Sequence, residues 1–386
     1  MTVSTVQRPR LLLVLPSIEF GGAERVAFNL LQGLIGFEGV LLTQAALAES
    51  FAATGCSILH FETYGCQHPY DLGVRNSGRY ARGIAAVSRA VQADVVLAFM
   101  HNGSFFAALA QALGGMPLLV GSIHGNISAY FRQRGRAPTP WERVIVWVAT
   151  RVPALVVVPS RGVAEDLCAH FGASLRRIKV IVNGIDQRRV RQRAEDTSGL
   201  PSKQVPWVVT ACRLSDQKDF ACLLRAFRRV RAQCPALLWI AGEGEQRARI
   251  EQWVADWALG DAVRLLGFQE NPYPWMARAD VLVLSSHYEG SPVAIIEGLT
   301  LGAAQVVSDC PSGPNELIKD GVNGFLVPMG DDAVMATRML QLLENPALQA
   351  RLGEAARASS TPFALATMVA TYESCLASVL AGQRHD

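Results

Sequence analysis

Residues 281–298 read VLVLSSHYEGSPVAIIEG, and this stretch decides the fold class. Its first four residues are a continuous apolar run, which is typical of a strand buried on both faces of a parallel sheet. A polar loop that carries Glu289 follows, and then Ser291 and Pro292, which suit the N-cap and the first position of a helix. The stretch therefore predicts a strand, a loop and a helix, the first part of a βαβ unit.

The same alternation of short apolar runs and longer helical patterns recurs on both sides of this stretch. Two series of buried runs separated by helices predict two doubly wound parallel sheets, and hence an α/β protein with two Rossmann-like domains. The first series comprises Leu11–Leu15, Val95–Phe99, Pro117–Ser122, Leu155–Pro159 and Lys179–Val182, and the second comprises Trp207–Ala211, Leu237–Ala241, Val263–Leu266, Val281–Ser285 and Gln305–Ser308.

A polar segment with glycine and proline, residues 196–203, separates the two series and predicts the domain boundary. We expect an N-terminal domain over residues 1–198, a C-terminal domain over residues 199–361 and a closing segment over residues 362–386. Apolar residues recur at helical spacing within the closing segment, which predicts a closing helix.

The composition excludes several classes of protein. With 50% hydrophobic and 18% charged residues among 386, the chain is too apolar to be disordered. The net charge of +3 conceals an asymmetry, since residues 1–205 hold 21 Lys and Arg against 13 Asp and Glu. The eight cysteines form no C-x-x-C pair, so neither a zinc site nor a disulfide framework is expected. We therefore expect a reduced, cytoplasmic protein with a basic half that suits an anionic surface.

The apolar runs are too short for a signal peptide or a membrane span. The run Leu11–Leu15 is followed at once by Glu19 and a glycine pair, whereas a signal sequence needs roughly 7–15 apolar residues. The segment 144–158 is interrupted by Arg151 and Pro153, and so falls short of the roughly 20 residues that cross a bilayer. We expect a protein that is cytoplasmic or peripheral to the membrane.

Several loops follow predicted strands, which is where α/β proteins bind ligands. Gly21 and Gly22 precede a helix, so their backbone could approach an anion closely, although a plain turn is the alternative. Arg213 and Lys218 could together hold a diphosphate, although solvated loop cations are common. The glycine pair at residues 242–244 lacks the third glycine of a dinucleotide fingerprint, which weakens a nicotinamide interpretation.

Glu289 and Glu297 stand on either side of the predicted start of a helix. Two carboxylates so placed could accept hydrogen bonds from hydroxyl groups in separate parts of one polyol-rich ligand. The alternative, for either glutamate taken alone, is an ordinary surface position. The helix N-terminus between them would present amides to a phosphate.

Taken in order, these motifs resemble those of the retaining glycosyltransferases of family 4. The resemblance runs from residue 21 to residue 328 and implies the GT-B fold, in which two Rossmann-like domains face each other across a cleft and a C-terminal helix crosses back. The motifs are Gly21-Gly22-Ala23-Glu24, Val182-Asn183-Gly184-Ile185-Asp186, Arg213 with Lys218, Gly267-Phe268, Glu289 with Glu297, and Gly313-Pro314-Asn315-Glu316.

The resemblance also implies roles for individual residues. Glu289 would bind hydroxyls of the donor sugar and Glu297 those of the ribose, while Arg213 and Lys218 would neutralise the leaving diphosphate. His124 would lie near the sugar, although a lone histidine is more often packed or capped. The implied catalytic set is His124, Glu289, Arg213 and Lys218, and the implied donor-binding set is Gly22, Arg213, Lys218, Phe268, Glu289, Ser291, Pro292, Val293 and Glu297.

The activity implied is transfer of a hexose or N-acetylhexosamine, with retention, from a nucleoside diphosphate donor to a saccharide or polyprenyl-diphosphate-linked acceptor. A UDP-linked donor is favoured on family frequency, and polysaccharide or glycan assembly is the implied setting. A GDP-mannose donor and a non-catalytic, nucleotide-sugar-binding role are the alternatives. The chain has no D-x-D triplet, so we expect transfer without a metal ion or other cofactor.

The acceptor side is marked by residues 70–151, which carry nine arginines against three acidic residues, with Trp141 and Trp147 among them. A basic surface with aromatic residues suits an anionic membrane and a lipid-linked acceptor, at the cytoplasmic face. The alternative is a solvated helix face over core tryptophans. No recognition motif for nucleic acid accompanies these residues, and we expect no nucleic-acid partner.

Two positions depart from the family pattern. Proline is common in the family where Ala304 or Gln305 stands, and a small alanine is usual where Gly298 stands. Neither departure touches an implied donor contact, and we expect the glycine to be harmless.

Overall fold

Contacts within the chain group it into two units, each built on one parallel sheet. The structure, a computed structural model, describes residues 8–19, 21–114 and 116–382. Unit 1 draws on Met1–Ser128, Arg136–Gly184 and Leu365–Asp386, and unit 2 on Ala129–Gly135 and Ile185–Ala364.

Unit 1 contains seven strands and most of the N-terminal helices. The strands are β1 (Arg10–Leu15), β2 (Glu38–Thr43), β3 (Ser57–His60), β4 (Val95–Phe99), β5 (Leu118–Ser122), β6 (Leu155–Val158) and β7 (Ile178–Val180), in the sheet order β3-β2-β1-β4-β5-β6-β7. The helices are α1 (Gly22–Gly33), α2 (Ala45–Phe51), α3 (Val74–Ala90), α4 (Met100–Ala112), α5 (Ile127–Gln133), whose residues from Ala129 onward belong to unit 2, α6 (Pro140–Arg151) and α7 (Arg161–Phe171). Short 3-10 turns lie at Ala52–Thr54, Phe61–Tyr64 and Leu175–Arg177.

Unit 2 contains a six-stranded sheet. Its strands are β8 (Trp207–Ala211), β9 (Leu237–Ala241), β10 (Val263–Gly267), β11 (Val281–Leu284), β12 (Gln305–Asp309) and β13 (Phe325–Pro328), in the order β10-β9-β8-β11-β12-β13. Its helices are α8 (Gln187–Ala194), α9 (Phe220–Arg231), α10 (Arg247–Asp256), α11 (Tyr273–Ala277), α12 (Val293–Leu301), α13 (Pro314–Leu317), α14 (Asp332–Leu343) and α15 (Pro346–Ser359), with 3-10 turns at Asp216–Lys218 and Thr361–Phe363. The chain then returns to unit 1 as α16 (Leu365–Leu380).

Strand β1 shows why the sheet strands are continuous apolar runs. Leu11, Leu13 and Leu15 pack in an apolar cluster on one face of the sheet, and Leu12 and Val14 pack in the cluster on the other face. All five side chains are 0% exposed. Because both faces are covered, alternation of polar and apolar residues is absent, as in other parallel sheets of α/β proteins.

The ten strands expected from the sequence are all present, with ends within two residues of those predicted, and the two-sheet α/β architecture is confirmed. Strands β2, β3 and β13 were not expected. β2 opens with Glu38-Gly39 and β13 closes with a proline, so each has a shortened apolar run. β3 is an edge strand whose residues are all partly or fully exposed, so its sequence carries no buried run.

The chain passes from unit 1 to unit 2 between residues 184 and 185, earlier than the predicted boundary at residue 198. Helix α8 accounts for the difference because it packs against α11 and α12 of unit 2. Its end is fixed by Asn271, whose Nδ2 donates to the Arg193 carbonyl oxygen at 2.9 Å. The polar segment 196–203 is therefore a loop within unit 2, between α8 and β8.

The closing helix α16 is part of unit 1, whereas the sequence predicts residues 362–386 as a segment of their own. Met368, Tyr372 and Leu376 belong to the same apolar cluster as Leu11 of β1. The Tyr372 hydroxyl also lies 3.3 Å from Ser122 Oγ at the end of β5. Among the described residues, no helix has both the length and the apolar composition needed to cross a membrane.

The two departures from the family pattern are neighbours in the core of unit 2. Gly298 lies on α12, and Gln305, which is 0% exposed, begins β12. A Cβ atom at Gly298 would lie 2.8 Å from Gln305 Cδ and 2.5 Å from Leu282 Cδ2. Gln305 Nε2 donates to the Ile295 carbonyl oxygen at 3.2 Å, so the amide cannot move aside without losing this bond. The glycine is thus the residue that makes room for the buried glutamine.

We expect Gly298→Ala to lower the free energy of unfolding by about 1–3 kcal/mol, because the added methyl group overpacks the core. In a Gln305→Ala background the same substitution should cost clearly less, since the space of the amide is vacated. Urea denaturation of the four members of this cycle measures the coupling. Additive costs would show that the two positions are independent.

Candidate active site

The strand order of each sheet reverses at one point, between β1 and β4 in unit 1 and between β8 and β11 in unit 2. Ligands of open α/β sheets bind beyond the carboxyl ends of the strands at such a switch point. Lys218 lies in the loop after β8 and Glu289 in the loop after β11, so both are at the switch point of unit 2. In unit 1, Gly22 follows β1 and His124 follows β5.

The two loops at the switch point of unit 2 are tied together by hydrogen bonds. Ser285 Oγ donates to the Lys218 carbonyl oxygen at 2.6 Å. The His287 amide donates to the Gln217 carbonyl oxygen at 2.8 Å, and Gln217 Nε2 donates to the Tyr288 carbonyl oxygen at 2.8 Å. These bonds fix the backbone of both loops.

Lys218 and Glu289 form an ion pair, with 2.6 Å between Nζ and Oε1. Their side chains are 15% and 7% exposed, so the pair is largely shielded from water. Ser286 Oγ donates to the same Oε1 at 2.7 Å. Burial lowers the pKa of Lys218, but the Glu289 carboxylate and other neighbouring groups together raise this pKa above its ordinary value, so the ammonium group stays charged at neutral pH. The pair thus places a fixed positive charge beside a carboxylate that can accept hydrogen bonds.

Asp219, next to Lys218, adopts a left-handed conformation with φ of 45°. Its carboxylate accepts from the Cys222 amide at 3.1 Å, which caps α9, and lies 3.6 Å from His287 Nε2. Ser285 Oγ also donates to the Asp219 carbonyl oxygen at 3.1 Å. A non-glycine residue in this region costs about 1–2 kcal/mol, and such strain is concentrated at functional sites.

Glu297 is buried on α12, and its Oε1 accepts a hydrogen bond from the Tyr273 hydroxyl at 3.0 Å. Tyr273 begins α11 and was not singled out from the sequence, where it is one aromatic residue in a proline-containing segment. The structure thus brings Lys218 and Glu289 into contact, whereas it gives Glu297 a partner on another helix.

Arg213 is an exposed residue of the loop after β8, whose path depends on the glycine pair of residues 242–244. The Leu214 amide donates to the Glu243 carbonyl oxygen at 2.8 Å. A Cβ atom at Gly242 would lie 1.9 Å from the Cys212 carbonyl oxygen, and one at Gly244 would lie 2.4 Å from the Leu214 carbonyl oxygen. The glycines therefore allow two backbones to touch, and they support the Arg213 loop instead of forming a dinucleotide fingerprint.

Phe268 follows β10 and is 76% exposed, more than any other large apolar side chain in unit 2 among the described residues. Burial of an aromatic ring is favourable, so a ring left in water at a strand end is a natural platform for a flat apolar ligand group. No contact in the structure links Phe268 to the Lys218–Glu289 pair.

Ser291 and Pro292 are one position farther from the helix than expected. Helix α12 begins at Val293, and Pro292 occupies the N-cap position, so Ser291 is not the cap. Ser291 and Pro292 are buried, whereas Val293 is partly exposed. The loop after β12 supports this turn, because a Cβ atom at Gly313 would lie 2.7 Å from the Gly290 carbonyl oxygen.

Gly22 in unit 1 is the first residue of α1 and is exposed. A Cβ atom at this position would meet nothing within 4 Å, so the fold itself does not require a glycine here. The preceding Gly21 amide donates to Glu24 Oε2 at 3.0 Å, which satisfies the amide that would otherwise be free at the helix start. The described surroundings leave room beside Gly22 for a close approach by a ligand.

His124 in unit 1 has both ring nitrogens turned toward the protein. Nε2 lies 2.8 Å from Ser122 Oγ, and Nδ1 is buried without a hydrogen-bond partner among the described residues. The ring stacks on Phe99 with 4.8 Å between centroids. Burial lowers the pKa of His124 to about 4, so the imidazole is neutral at pH 7. This is the geometry of a packed histidine, and contact with a ligand would require the ring to turn.

Sequence reasoning missed one feature at the switch point of unit 1. Met100, directly after β4, has φ of 68°, a conformation that a non-glycine side chain rarely adopts. Burial lowers the pKa of the next residue, His101, to about 4, although Glu142 opposes the effect. The position of His101 after a predicted strand was a usable signal, whereas nothing in the sequence indicates the backbone conformation of Met100.

Comparison with known families gives two matches that together span most of the chain. Residues 20–189 match the model of Glycosyltransferase Family 4, and residues 192–359 match the model of Glycosyl transferases group 1. The two matches meet near the change from unit 1 to unit 2.

Individual proteins are similar at lower identity. An N-acetylgalactosamine-N,N'-diacetylbacillosaminyl-diphospho-undecaprenol 4-alpha-N-acetylgalactosaminyltransferase from Campylobacter jejuni is 26% identical over 86% of this chain and 90% of its own length. The lipopolysaccharide core biosynthesis glycosyltransferase LpsE from Rhizobium meliloti is 32% identical over 52% of this chain and 56% of its own length. The structure of Anabaena Alr3699/HepE with UDP and glucose superposes with a TM-score of 0.82 at 21% identity, over 96% of this chain and 100% of the other, and therefore shows a shared GT-B fold.

We expect Lys218→Met or Glu289→Gln alone to lower the free energy of unfolding by about 3 kcal/mol, because each leaves one buried group without its partner. The double variant should be more stable than the sum of the two losses predicts, by about 1–3 kcal/mol. Urea denaturation of the two single variants and the double variant measures this coupling. Strict additivity would mean that the two side chains do not act as a pair.

Proposed function

This chain belongs to glycosyltransferase family 4, and we propose that it transfers a hexose or N-acetylhexosamine, with retention of configuration, from a nucleoside diphosphate donor to a saccharide or lipid-linked acceptor. The observation that carries the proposal is the Lys218–Glu289 ion pair at the switch point of unit 2. One member suits a phosphate and the other suits sugar hydroxyls, and a nucleotide sugar carries both groups next to each other.

Donor binding would exchange partners within this pair. Lys218 is charged before the donor arrives, because the Glu289 carboxylate raises its pKa. A diphosphate would take over part of the hydrogen bonding of the ammonium group, and the Glu289 oxygen that is released would accept hydrogen bonds from sugar hydroxyls. Ser286 Oγ, which already donates to Glu289, would keep the carboxylate in place during the exchange.

The leaving group needs stabilisation as the bond between sugar and diphosphate breaks and negative charge builds on the phosphate oxygens. We propose that Lys218 and Arg213 provide it, together with the backbone around Ser291, Pro292 and Val293 at the start of α12. Gly22 would let backbone amides of α1 approach the same kind of group. In this proposal the cations and amides do the work that a metal ion does in other transferases.

Other residues would bind the remaining parts of the donor. Glu297, held by the Tyr273 hydroxyl at 3.0 Å, would accept hydrogen bonds from the ribose hydroxyls. Phe268 would pack against the base. His124 would act at the sugar as a neutral hydrogen-bonding group, after its ring turns away from Ser122.

A UDP-linked donor is the one we propose. Support comes from the Anabaena protein of the same fold, whose structure contains UDP and glucose, and from the Campylobacter relative, which is named as an N-acetylgalactosaminyltransferase. Transfer with retention is proposed because the resemblance to family 4 implies it.

A lipid-linked acceptor in polysaccharide assembly is proposed on similar grounds. The Campylobacter relative is named for an undecaprenol diphosphate acceptor, and the Rhizobium relative for lipopolysaccharide core biosynthesis. We propose that the enzyme works at the cytoplasmic face of a membrane as a peripheral protein. The nine arginines of residues 70–151 suit an anionic surface there.

Thermal unfolding with UDP, GDP, ADP and NAD in turn tests the donor nucleotide. A nucleotide at 100 times its dissociation constant stabilises the folded chain by about 2.7 kcal/mol, which gives a clear rise in Tm. We expect UDP alone to raise the Tm. A rise with GDP alone would replace UDP by GDP and favour a mannosyl donor, and a rise with NAD alone would contradict the proposal.

A transfer assay with UDP-linked sugars and a saccharide acceptor tests catalysis. We expect Glu289→Gln to lower kcat by roughly 10²–10³-fold, as loss of one group that binds the transition state does elsewhere. The control is Glu344→Gln, since Glu344 is exposed at the end of α14 and belongs to none of the loops assigned to the proposed site. EDTA should leave the rate unchanged.

Near-normal turnover of Glu289→Gln would remove this residue from the catalytic set. Nucleotide binding by the wild-type chain without turnover on any sugar would favour a non-catalytic, nucleotide-sugar-binding role. Thermal unfolding must show that the variant is folded at the temperature of the assay, because the substitution also removes a buried charge.

A further inference from the structure

We propose that the outer face of α6, together with the 3-10 turn Leu175–Arg177, is a docking surface for an anionic lipid bilayer. Its purpose rests on the proposed lipid-linked acceptor, but its evidence is the burial and charge of residues in unit 1. These residues are distinct from all those assigned above to donor binding.

Helix α6 has one buried face and one exposed apolar face. Ile145, Val146 and Ala149 are almost fully buried, and α6 packs against α4 and α7. On the opposite side, Val144 is 44% and Trp147 is 47% exposed. A soluble helix normally places charged or polar side chains on its outer face, so large apolar residues there need a partner.

The exposed apolar face continues beyond the end of α6. Val152, which follows the helix, is 41% exposed, and Leu175 in the 3-10 turn is 64% exposed. The turn is fixed to the helix because Arg177 Nη1 donates to the Arg151 carbonyl oxygen at 2.6 Å. The apolar residues therefore belong to one surface, which we call the docking face: Val144, Trp147, Val152 and Leu175.

The docking face is surrounded by cations at fixed positions. Arg143 donates to the His170 carbonyl oxygen at 3.3 Å, and Arg151 donates to the Gly172 carbonyl oxygen at 2.8 Å. The Arg151 guanidinium also lies 5.6 Å from the centre of the Trp147 ring. Because these arginines bond to neutral carbonyl groups, their charges are not cancelled by a carboxylate.

Few acidic groups oppose this charge. Residues 140–152 and 170–180 contain the cations Arg143, Arg151, Arg176, Arg177 and Lys179, and one carboxylate, Glu142. Glu142 is already occupied, because Arg136 bonds to both of its oxygens at 2.8 and 2.7 Å. The Arg136 guanidinium and the Thr139 cap lower the pKa of Glu142 to about 2, so it stays paired at neutral pH.

The combination selects a lipid surface over other anionic partners. Tryptophan and arginine together suit the headgroup layer, where the indole contacts acyl chains and the guanidinium contacts phosphates. A nucleic acid would use the cations but would leave Val144, Val152 and Leu175 in water. Val144 and Trp147 protrude from the outer face of α6, which can insert into a fluid layer without a matching groove.

Flotation of the full chain with vesicles tests the inference. We expect binding to phosphatidylcholine vesicles that contain phosphatidylglycerol, and none to phosphatidylcholine alone. Val144→Ser with Trp147→Ser should lower the partition coefficient roughly ten-fold, because the apolar contact is lost. Arg176→Gln should lower it roughly five-fold, the effect of one cation near an anionic surface, and high salt should weaken it in the same direction.

Matched controls come from exposed positions of unit 2. Val322→Ser replaces a valine that is 52% exposed, and Arg249→Gln replaces an exposed arginine. Neither should change flotation. The inference is overturned if the wild-type chain does not float with anionic vesicles at low salt, if the controls act like the test variants, or if Arg176→Gln reduces binding while the Val144 and Trp147 substitutions do not.

Nucleotide binding separates this inference from the proposed function. The Val144 and Trp147 variant should keep the UDP-dependent rise in Tm of the wild-type chain, because its substitutions lie outside the donor site. A chain that floats but binds none of the four nucleotides would retain the docking face and lose the proposed function. A chain that binds UDP and does not float would support the proposed function and overturn the docking face.

Discussion

The arrangement of unit 2 depends on the junction between the loops that follow β8 and β11. These strands are neighbours in the sheet, so their carboxyl ends deliver two loops to one place. Backbone and side-chain bonds through Ser285 and Gln217 hold the loops together, and the Lys218–Glu289 ion pair closes the junction. A buried charge is costly unless it is paired, so each of the two residues stabilises the other in this position. In the proposed function, this junction is the preformed site for a ligand with adjacent anionic and hydroxyl groups.

Burial opposes ionisation of the acidic groups around the ion pair. It raises the pKa of the Cys212 and Cys310 thiols, and it raises the pKa of the Tyr288 hydroxyl to about 12. These groups are therefore protonated at neutral pH, and none of them is an activated nucleophile. Lys218 keeps its charge because Glu289 is in contact with it. Such a site suits electrostatic stabilisation of a leaving group better than covalent catalysis.

Much of this arrangement follows from the sequence. Most strands of both sheets are predictable as continuous apolar runs, because a strand that is covered on both faces has no exposed side that would call for polar residues. The strand–loop–helix pattern of residues 281–298 identifies Glu289 as a candidate site residue. The glycine pairs identify the loops after β1 and β9 as candidate binding loops. The pairing of Lys218 with Glu289 was not predictable from residues 71 positions apart, since it depends on which strands are neighbours. The hydrogen bond from Tyr273 to Glu297 was missed because it also depends on which elements are neighbours. The edge strand β3 was missed because it is not buried.

The structure shows which groups the individual arginines contact, and the charge asymmetry of the sequence does not reveal these partners. Several exposed arginines of unit 2 are paired with carboxylates: Arg225 and Arg229 share Asp332, and Arg247 bonds to Glu251. The arginines beside the docking face of unit 1 bond instead to carbonyl oxygens, as Arg151 does with Gly172. A carbonyl group orients a guanidinium without cancelling its charge, whereas a carboxylate does both. Arg143 and Arg151 therefore keep their charges at fixed positions beside Trp147, which is the arrangement that the proposed docking to an anionic membrane requires.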